Sequence, residues 1–255
     1  MFFTRLPFHK IKQVPSECFS HVTGWWSITG WLTGGLSALT CWLLMGIATP
    51  GIAIVAALIV RVMLTGALHE DGLADCLDGF GGGNDKEGTL RIMKDSHIGA
   101  FGVIGLVLYF LMTYAVLSAI GTQYVPVVIL ASDVFAKCVS SHIVWLLPYA
   151  RPESESKNRT VYSHPTIMEE TLTIVSGIVA IGVMYLAVGS FMFQDSGFNY
   201  ALCIMNYALS IIVTVAVFLL LVLFFRKRIG GYTGDCCGAM FLLCELSFRL
   251  MIALI

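Results

Sequence analysis

Seven apolar stretches decide what this chain can become. They run approximately over 28–49, 51–68, 98–120, 125–148, 171–193, 202–225 and 237–255. Each is near the roughly 20 residues that a helix needs to cross a bilayer core of about 30 Å. The first two are separated by little more than Pro50-Gly51, a tight hairpin signal. Only 12% of the residues are charged and 57% are hydrophobic, with a mean hydropathy of +0.84. A soluble domain carries about 25% charged residues, and a core of this size could not hide so much apolar surface. A soluble globule, a disordered chain and a nucleic-acid-binding module are therefore excluded. The expected architecture is an all-α, polytopic transmembrane bundle of about seven spans, folded as one integral-membrane domain over 1–255.

Lysine and arginine supply the orientation. Arg5, Lys10 and Lys12 precede the first span, and Lys86, Arg91 and Lys94 lie between the second and third. Arg151, Lys157 and Arg159 follow the fourth; Arg226, Lys227 and Arg228 follow the sixth. The alternate connections, near Pro50 and at 121–124 and 194–201, contain neither residue. Only Arg61, Lys137 and Arg249 lie within spans. The pattern predicts a cytoplasmic N-terminus, with the polar connections at about 69–97, 150–170 and 226–235 on the cytoplasmic face. Net charge is −1, so no nucleic-acid partner is expected. The eight cysteines form no CxxC and read as small hydrophobes. The opening MFFTRLPFHK lacks the apolar core of a cleavable signal.

The most informative segment is ALHEDGLADCLDGFGGGNDKEGTLRIMKDSHIGAFG, residues 67–102. If the second span continues as helix beyond the bilayer, Asp71, Asp75 and Asp78 fall at i, i+4 and i+7 on one face. Stacked like charges repel, so a cation makes the arrangement favourable. Hard oxygen ligands suit Mg²⁺, or Mn²⁺, with phosphate oxygens and water completing the shell. A solvated acidic helix face is the structural alternative.

Gly79-Phe80-Gly81-Gly82-Gly83 is then expected to end the helix. Gly81, Gly82 and Gly83 would let backbone N–H groups approach a phosphate, or merely make a turn. No Walker A or Rossmann fingerprint is present. A short amphipathic helix over 85–93 leads to Lys94, Asp95 and Ser96. Lys94 is a candidate phosphate cation or an interfacial anchor; Asp95 is a candidate metal ligand or base. Gly-Gly-Tyr-Thr-Gly-Asp at 230–235 adds a second turn on the same side, with Asp235 either at the site or capping the last helix. Within the spans, Asp133 with Lys137 and Glu245 with Arg249 sit at i,i+4 and are expected to pair. Arg61 lacks a local partner and is expected to face the bundle interior near the carboxylates. His69 and His97 flank the acidic loop, as interfacial residues or as acids or bases. Carboxylates, a glycine run and a lysine at one membrane surface suggest metal-assisted phosphoryl transfer.

The run E-D-G-L-A-D-x-x-D-G-F-G-G-G followed by I-M-K-D-S-x-I-G-A-F-G resembles the signature of the cobalamin synthase family, the adenosylcobinamide-GDP ribazoletransferases. Similar blocks are F-x-T-R-L-P at the start, Pro148-Tyr149-Ala150-Arg151-Pro152, and G-G-Y-T-G-D-x-x-G-A at 230–239. The four blocks span almost the whole chain. The resemblance implies a polytopic enzyme of the bacterial cytoplasmic membrane, its active site facing the cytoplasm. It implies that a hydroxyl of α-ribazole, or of its 5′-phosphate, attacks the phosphorus joined to cobinamide, so that GMP leaves, with Mg²⁺ required. Carried over by position, Asp71, Asp75 and Asp78 are metal ligands, with Asp95 as ligand or base. Lys94, Ser96, Arg5 and Arg151 become candidates for holding phosphate. Gly81 to Gly83 and the 230–235 turn with Asp235 would shape the pocket. Membrane lipid is the surrounding partner, and association with other late enzymes of the pathway is left open. Two departures stand out: Glu70 replaces a residue that is often apolar, and Pro-Glu-Ser-Glu-Ser-Lys-Asn follows Arg151 where a glycine-bearing segment is common.

Two rival classes fit less well. A CDP-alcohol phosphotransferase needs DGxxAR with two later, spaced aspartates, and Asp75-Cys76 stands where Ala-Arg should be. A divalent-cation transporter needs acids near the bilayer midplane, whereas the densest acids here lie at a span end.

Overall fold

A computed structural model describes residues 3–7, 10, 16–151, 163–192 and 200–254. The described residues are overwhelmingly helical. A 3₁₀ segment, Ser16–Trp25, leads into α1 (Trp26–Met45); α2 (Pro50–Thr65) and α3 (Leu68–Gly82) follow. Next come α4 (Lys86–Lys94), α5 (Ala100–Ala119), α6 (Val125–Ser141) and the single turn α7 (Ile143–Leu146). The chain closes with α8 (Ile167–Met192), α9 (Tyr200–Ile229) and α10 (Gly234–Ala253). Among the described residues, six helical segments are long and apolar enough to cross a membrane, and the bent pair α2–α3 makes a seventh candidate. Lys12, Lys157, Arg159 and most of the 194–201 connection lie outside the described residues.

Pro50 opens α2 as the hairpin signal requires. The expected straight extension of the second span does not occur: α2 and α3 meet at 88°. Gly66 and Ala67 both adopt left-handed backbone, at φ 66° and 58°. Gly66 takes this conformation without a Cβ penalty; Ala67 pays one. The fourth span likewise ends as α6 at Ser141 and continues only as the short α7.

Small residues set the closest helix approach. Gly30 and Gly34 of α1 lie against Val134 and Asp133 of α6, where an added Cβ would come within 2.8–2.9 Å. This four-residue spacing of glycines suits lipid-embedded packing, where backbone proximity replaces the hydrophobic drive. Outward-facing side chains are large and aliphatic, such as Met63, Leu108 and Leu220.

The interior is instead charged. Lys137 donates to Asp133 and to Thr33 across the α1–α6 contact. Arg249 donates to Glu245 and, through Nε, to Ser132 at 2.8 Å. Both i,i+4 pairs expected from spacing are thus present. Each ion is compensated, as burial in a low-dielectric interior demands.

Candidate active site

The site grows from the break after α2. Arg61 points inward as expected, but its partners are Glu245 and Glu70, with Tyr109 accepting at 2.9 Å. Glu70 is buried and 3.1 Å from the guanidinium. The residue that departs from the family pattern is therefore a structural counter-ion rather than another ligand beside the acids. It holds the first turn of α3 against the bundle, so that Asp71, next in sequence, faces solvent.

The three aspartates then divide. Asp71 is exposed, Asp75 is half-buried and Asp78 is buried. Asp78 accepts the Gly99 N–H at 2.7 Å and the Gly102 N–H at 2.8 Å, capping the start of α5. Its two oxygens are engaged there, and Gly99 and Gly102 leave the room it fills. Expected in one set with its neighbours, Asp78 serves the α3–α5 join in this structure. Asp71 and Asp75 remain together on the accessible face.

A third acid comes to this face from α10. A Cβ on Gly72 would meet the Asp235 backbone at 2.8 Å, and one on Gly238 the His69 backbone at 3.1 Å. Glycines on both helices thus let α3 and α10 cross at backbone distance. Cys76 and Cys236 mark the same crossing, their sulfurs 3.9 Å apart. The cap of α10 is Thr233, whose hydroxyl accepts the Cys236 N–H at 3.3 Å. Asp235 does not cap the helix; its carboxylate lies 3.8 Å from Arg151 and accepts from the Thr233 hydroxyl at 3.3 Å.

Two distant sequence blocks meet at this turn. Ala150 N–H donates to the Tyr232 carbonyl at 2.8 Å, and Tyr232 N–H to the Pro148 carbonyl at 3.0 Å. Gly231 is required, because any Cβ there would strike the Pro148 carbonyl. Arg151, buried beside this bridge, donates to the Leu90 carbonyl at 3.1 Å and so ties α4 to the α9–α10 turn. Expected to hold phosphate, it lies between the Leu90 carbonyl and the Asp235 carboxylate. Arg5 is exposed; its backbone N–H donates to the Leu64 carbonyl at 2.7 Å and its side chain lies over Gly66. The N-terminal block therefore covers the α2–α3 break.

The glycine run differs from expectation. α3 stays helical through Gly82. Gly79 receives Met93, Gly81 faces the Phe101 ring, and Gly83 abuts the Thr89 backbone. Tertiary packing of α4 and α5 outweighs the poor helix propensity of glycine. Arg228 closes this helix end, donating to the Phe80 and Gly83 carbonyls at 3.1 and 3.0 Å while lying over the Phe80 and Phe224 rings. A cation at the negative end of a helix is favourable.

The expected amphipathic helix is α4, capped by Asp85, which accepts the Gly88 N–H at 2.7 Å. Lys94 ends this helix and Asp95 and Ser96 follow, all three exposed. Asp95 accepts the His97 N–H at 3.0 Å and lies 2.7 Å from the His97 ring. The backbone N–H, then the ring, holds its carboxyl below the usual carboxylate range.

Sequence reasoning did not assign Glu70, Tyr109, Thr233 or Arg228. The one usable signal was Arg61, an unpaired cation inside a span, which demanded an acid from elsewhere. Among the described residues, no three His, Cys, Asp or Glu side chains converge as a ready metal site. The donors still suit Mg²⁺, which is commonly held by one or two carboxylates with water and substrate phosphate supplying the rest.

Fold and site together define a polytopic helical membrane protein whose polar sequence blocks converge on one end of the bundle. The chain belongs to the cobalamin-5-phosphate synthase family, which it matches over residues 1–253. An adenosylcobinamide-GDP ribazoletransferase of Shewanella sp. (strain W3-18-1) is 33% identical over 262 residues, 100% of this chain and 91% of that protein. A protein of the same name in Shewanella baltica (strain OS185) is 34% identical over 246 residues, 93% of this chain and 85% of its own length. That of Shewanella oneidensis is 32% identical over 250 residues, covering 96% and 88%. No solved structure matches the chain.

Proposed function

We propose that this protein is an adenosylcobinamide-GDP ribazoletransferase, a membrane phosphotransferase completing the nucleotide loop of cobalamin. Its substrates are adenosylcobinamide-GDP and α-ribazole or α-ribazole 5′-phosphate, and GMP is released. The observation that carries the reading is the α3–α10 crossing. It brings the E-D-G-L-A-D and G-G-Y-T-G-D blocks of a full-length family match to one accessible acidic face.

Asp71 and Asp75 would hold Mg²⁺, with Mn²⁺ as a substitute, and Asp235 lies across the crossing from them. A metal held there would neutralise the pyrophosphate and the leaving GMP phosphate. Lys94 and Arg5, both exposed cations, bind phosphate oxygens, and Ser96 adds a hydroxyl. Arg151 positions Asp235 and the turn. The ribose hydroxyl forms the new P–O bond, the bond to GMP breaks, and the hydroxyl proton passes to solvent or to a carboxylate. Asp95 supplies fixed negative charge beside Lys94.

The enzyme is placed in the bacterial cytoplasmic membrane with its N-terminus and site in the cytoplasm. Support comes from the basic connections, whose Arg5, Arg151, Arg226 and Arg228 all contact the same end of the bundle. Membranes containing the protein, supplied with adenosylcobinamide-GDP, α-ribazole and Mg²⁺, should form a cobamide and GMP. Absence of both products from intact protein overturns the reading. Labelling of Ser96→Cys by a membrane-impermeant thiol reagent should require inside-out vesicles.

A further inference from the structure

Residues 144–149, with His164 and with Tyr232 of the turn before α10, wall a cleft of about 390 Å³, inside the ~300–1,000 Å³ range of small-ligand sites. Its rings are Trp145, Tyr149, His164 and Tyr232. Trp145 is half exposed and stacks on His164, centroids 4.4 Å apart with planes 25° apart. Tyr149 meets Tyr232 edge-on at 5.5 Å. The Trp145 ring is held: its N–H donates to Glu170 at 3.3 Å, and Glu170 pairs with His142 at 2.7 Å. The walls are continuous with the candidate site. Tyr149 precedes Ala150 and Arg151, Tyr232 precedes Thr233 and Asp235, and the two strands of backbone are bridged.

A second groove, of about 480 Å³ between α2 and α5, provides the contrast. It is lined by residues such as Val55, Ile59, Met63 and Leu111 on the outward surface, and an acyl chain suits it. The Trp145 cleft instead pairs flat π faces with polar edges, beside the acidic crossing.

We propose that the Trp145 cleft seats the planar heteroaromatic base of the acceptor nucleoside, stacked against the exposed Trp145–His164 pair. This inference rests on the ribazoletransferase reading and names the subsite within it. Base–aromatic stacking contributes about 1–3 kcal/mol per base, which holds the base while its ribose hydroxyl is presented toward the acidic face of Asp71 and Asp75. Were Trp145 only an interfacial anchor, its loss would disturb membrane insertion and leave nucleoside affinity untouched.

The test uses the full-length enzyme purified in detergent. Trp145→Ala and His164→Ala should each raise KM for α-ribazole, by about tenfold for Trp145→Ala, while KM for adenosylcobinamide-GDP stays within twofold. Trp145→Phe should recover most of the loss in KM. Titration with α-ribazole should quench wild-type tryptophan emission, and Trp145→Phe should abolish that quench. The quench needs no turnover, so it decides the proposal even if Trp145→Ala is not recovered from membranes. Unchanged α-ribazole KM in both alanine variants, or a quench that survives Trp145→Phe, overturns the cleft and leaves the reaction standing. Absence of transfer by wild-type protein overturns the reaction instead, and the fluorescence titration then still reports whether the cleft binds the nucleoside.

Discussion

Arg61 and Glu70 form a buried ion pair at 3.1 Å across a helix break that turns the chain by 88°. They sit on different helices, nine residues apart, a spacing no continuous helix would bring together. The same guanidinium reaches Glu245, which also receives Arg249. Two cations and two anions thus neutralise one another where α2, α3 and α10 meet. The acidic face takes its direction from this junction, because Glu70 adjoins Asp71.

Removing one member should leave a buried charge uncompensated, at a cost of about 3–5 kcal/mol. Arg61→Met is expected to lower the thermal midpoint of the detergent-solubilised protein sharply and to reduce transfer activity with it. Glu70→Gln, which keeps a hydrogen-bond acceptor but removes the counter-charge, should cost about 3 kcal/mol, the low end of that range. Equal melting temperatures for wild type and Arg61→Met would show that the junction does not hold the bend.

The break itself gives an opposed pair of variants. Gly66→Ala forces a Cβ into left-handed backbone and into the Arg5 side chain, so a loss of about 1–2 kcal/mol is expected. Ala67→Gly relieves the same backbone penalty at φ 58° and should be neutral or slightly stabilising. Thermal unfolding of the two variants side by side checks the sign.

Legibility followed the range of the interactions. Apolar runs and i,i+4 pairs are local, so the spans and the Asp133–Lys137 and Glu245–Arg249 pairs could be read directly. The break could not. Thr65-Gly66-Ala67 continues an apolar run, and one glycine inside a helical pattern is ambiguous. The helicity of the α3 glycines is not legible locally, because it depends on Met93, Phe101 and Thr89, which arrive from later elements. Asp78 looked like its neighbours until Gly99 and Gly102 supplied the N–H groups that engage it.

That division of the aspartates separates stability from chemistry. Asp78→Ala should strip the cap from α5 and cost about 1–3 kcal/mol, visible as a lower melting temperature. Asp71→Ala, at an exposed carboxylate, should leave the melt within a degree or two and reduce transfer at least a hundredfold. Asp75→Ala should raise the Mg²⁺ concentration needed for half-maximal rate. Chelation with EDTA should abolish transfer and added Mn²⁺ restore it. Full activity in Asp71→Ala would remove the metal-site assignment while leaving the transferase reading intact.

Asp95 gives a prediction in pH. The His97 N–H and ring favour its charged form, so the folded carboxyl titrates below its ordinary value. The stabilisation this lends the turn before α5 is present above the unfolded carboxyl's titration range and is lost only as pH falls through the lower folded value. Across pH 6–9 Asp95 is therefore a constant negative charge, with little driving force to take a proton from a ribose hydroxyl. Asp95→Asn should lower the transfer rate by the same factor at every pH in that range, leaving the shape of the pH–rate profile unchanged. If Asp95 were the general base with a near-neutral pKa, the substitution would instead erase the acid limb of the profile. Rates measured at half-unit intervals with saturating Mg²⁺ distinguish the two outcomes.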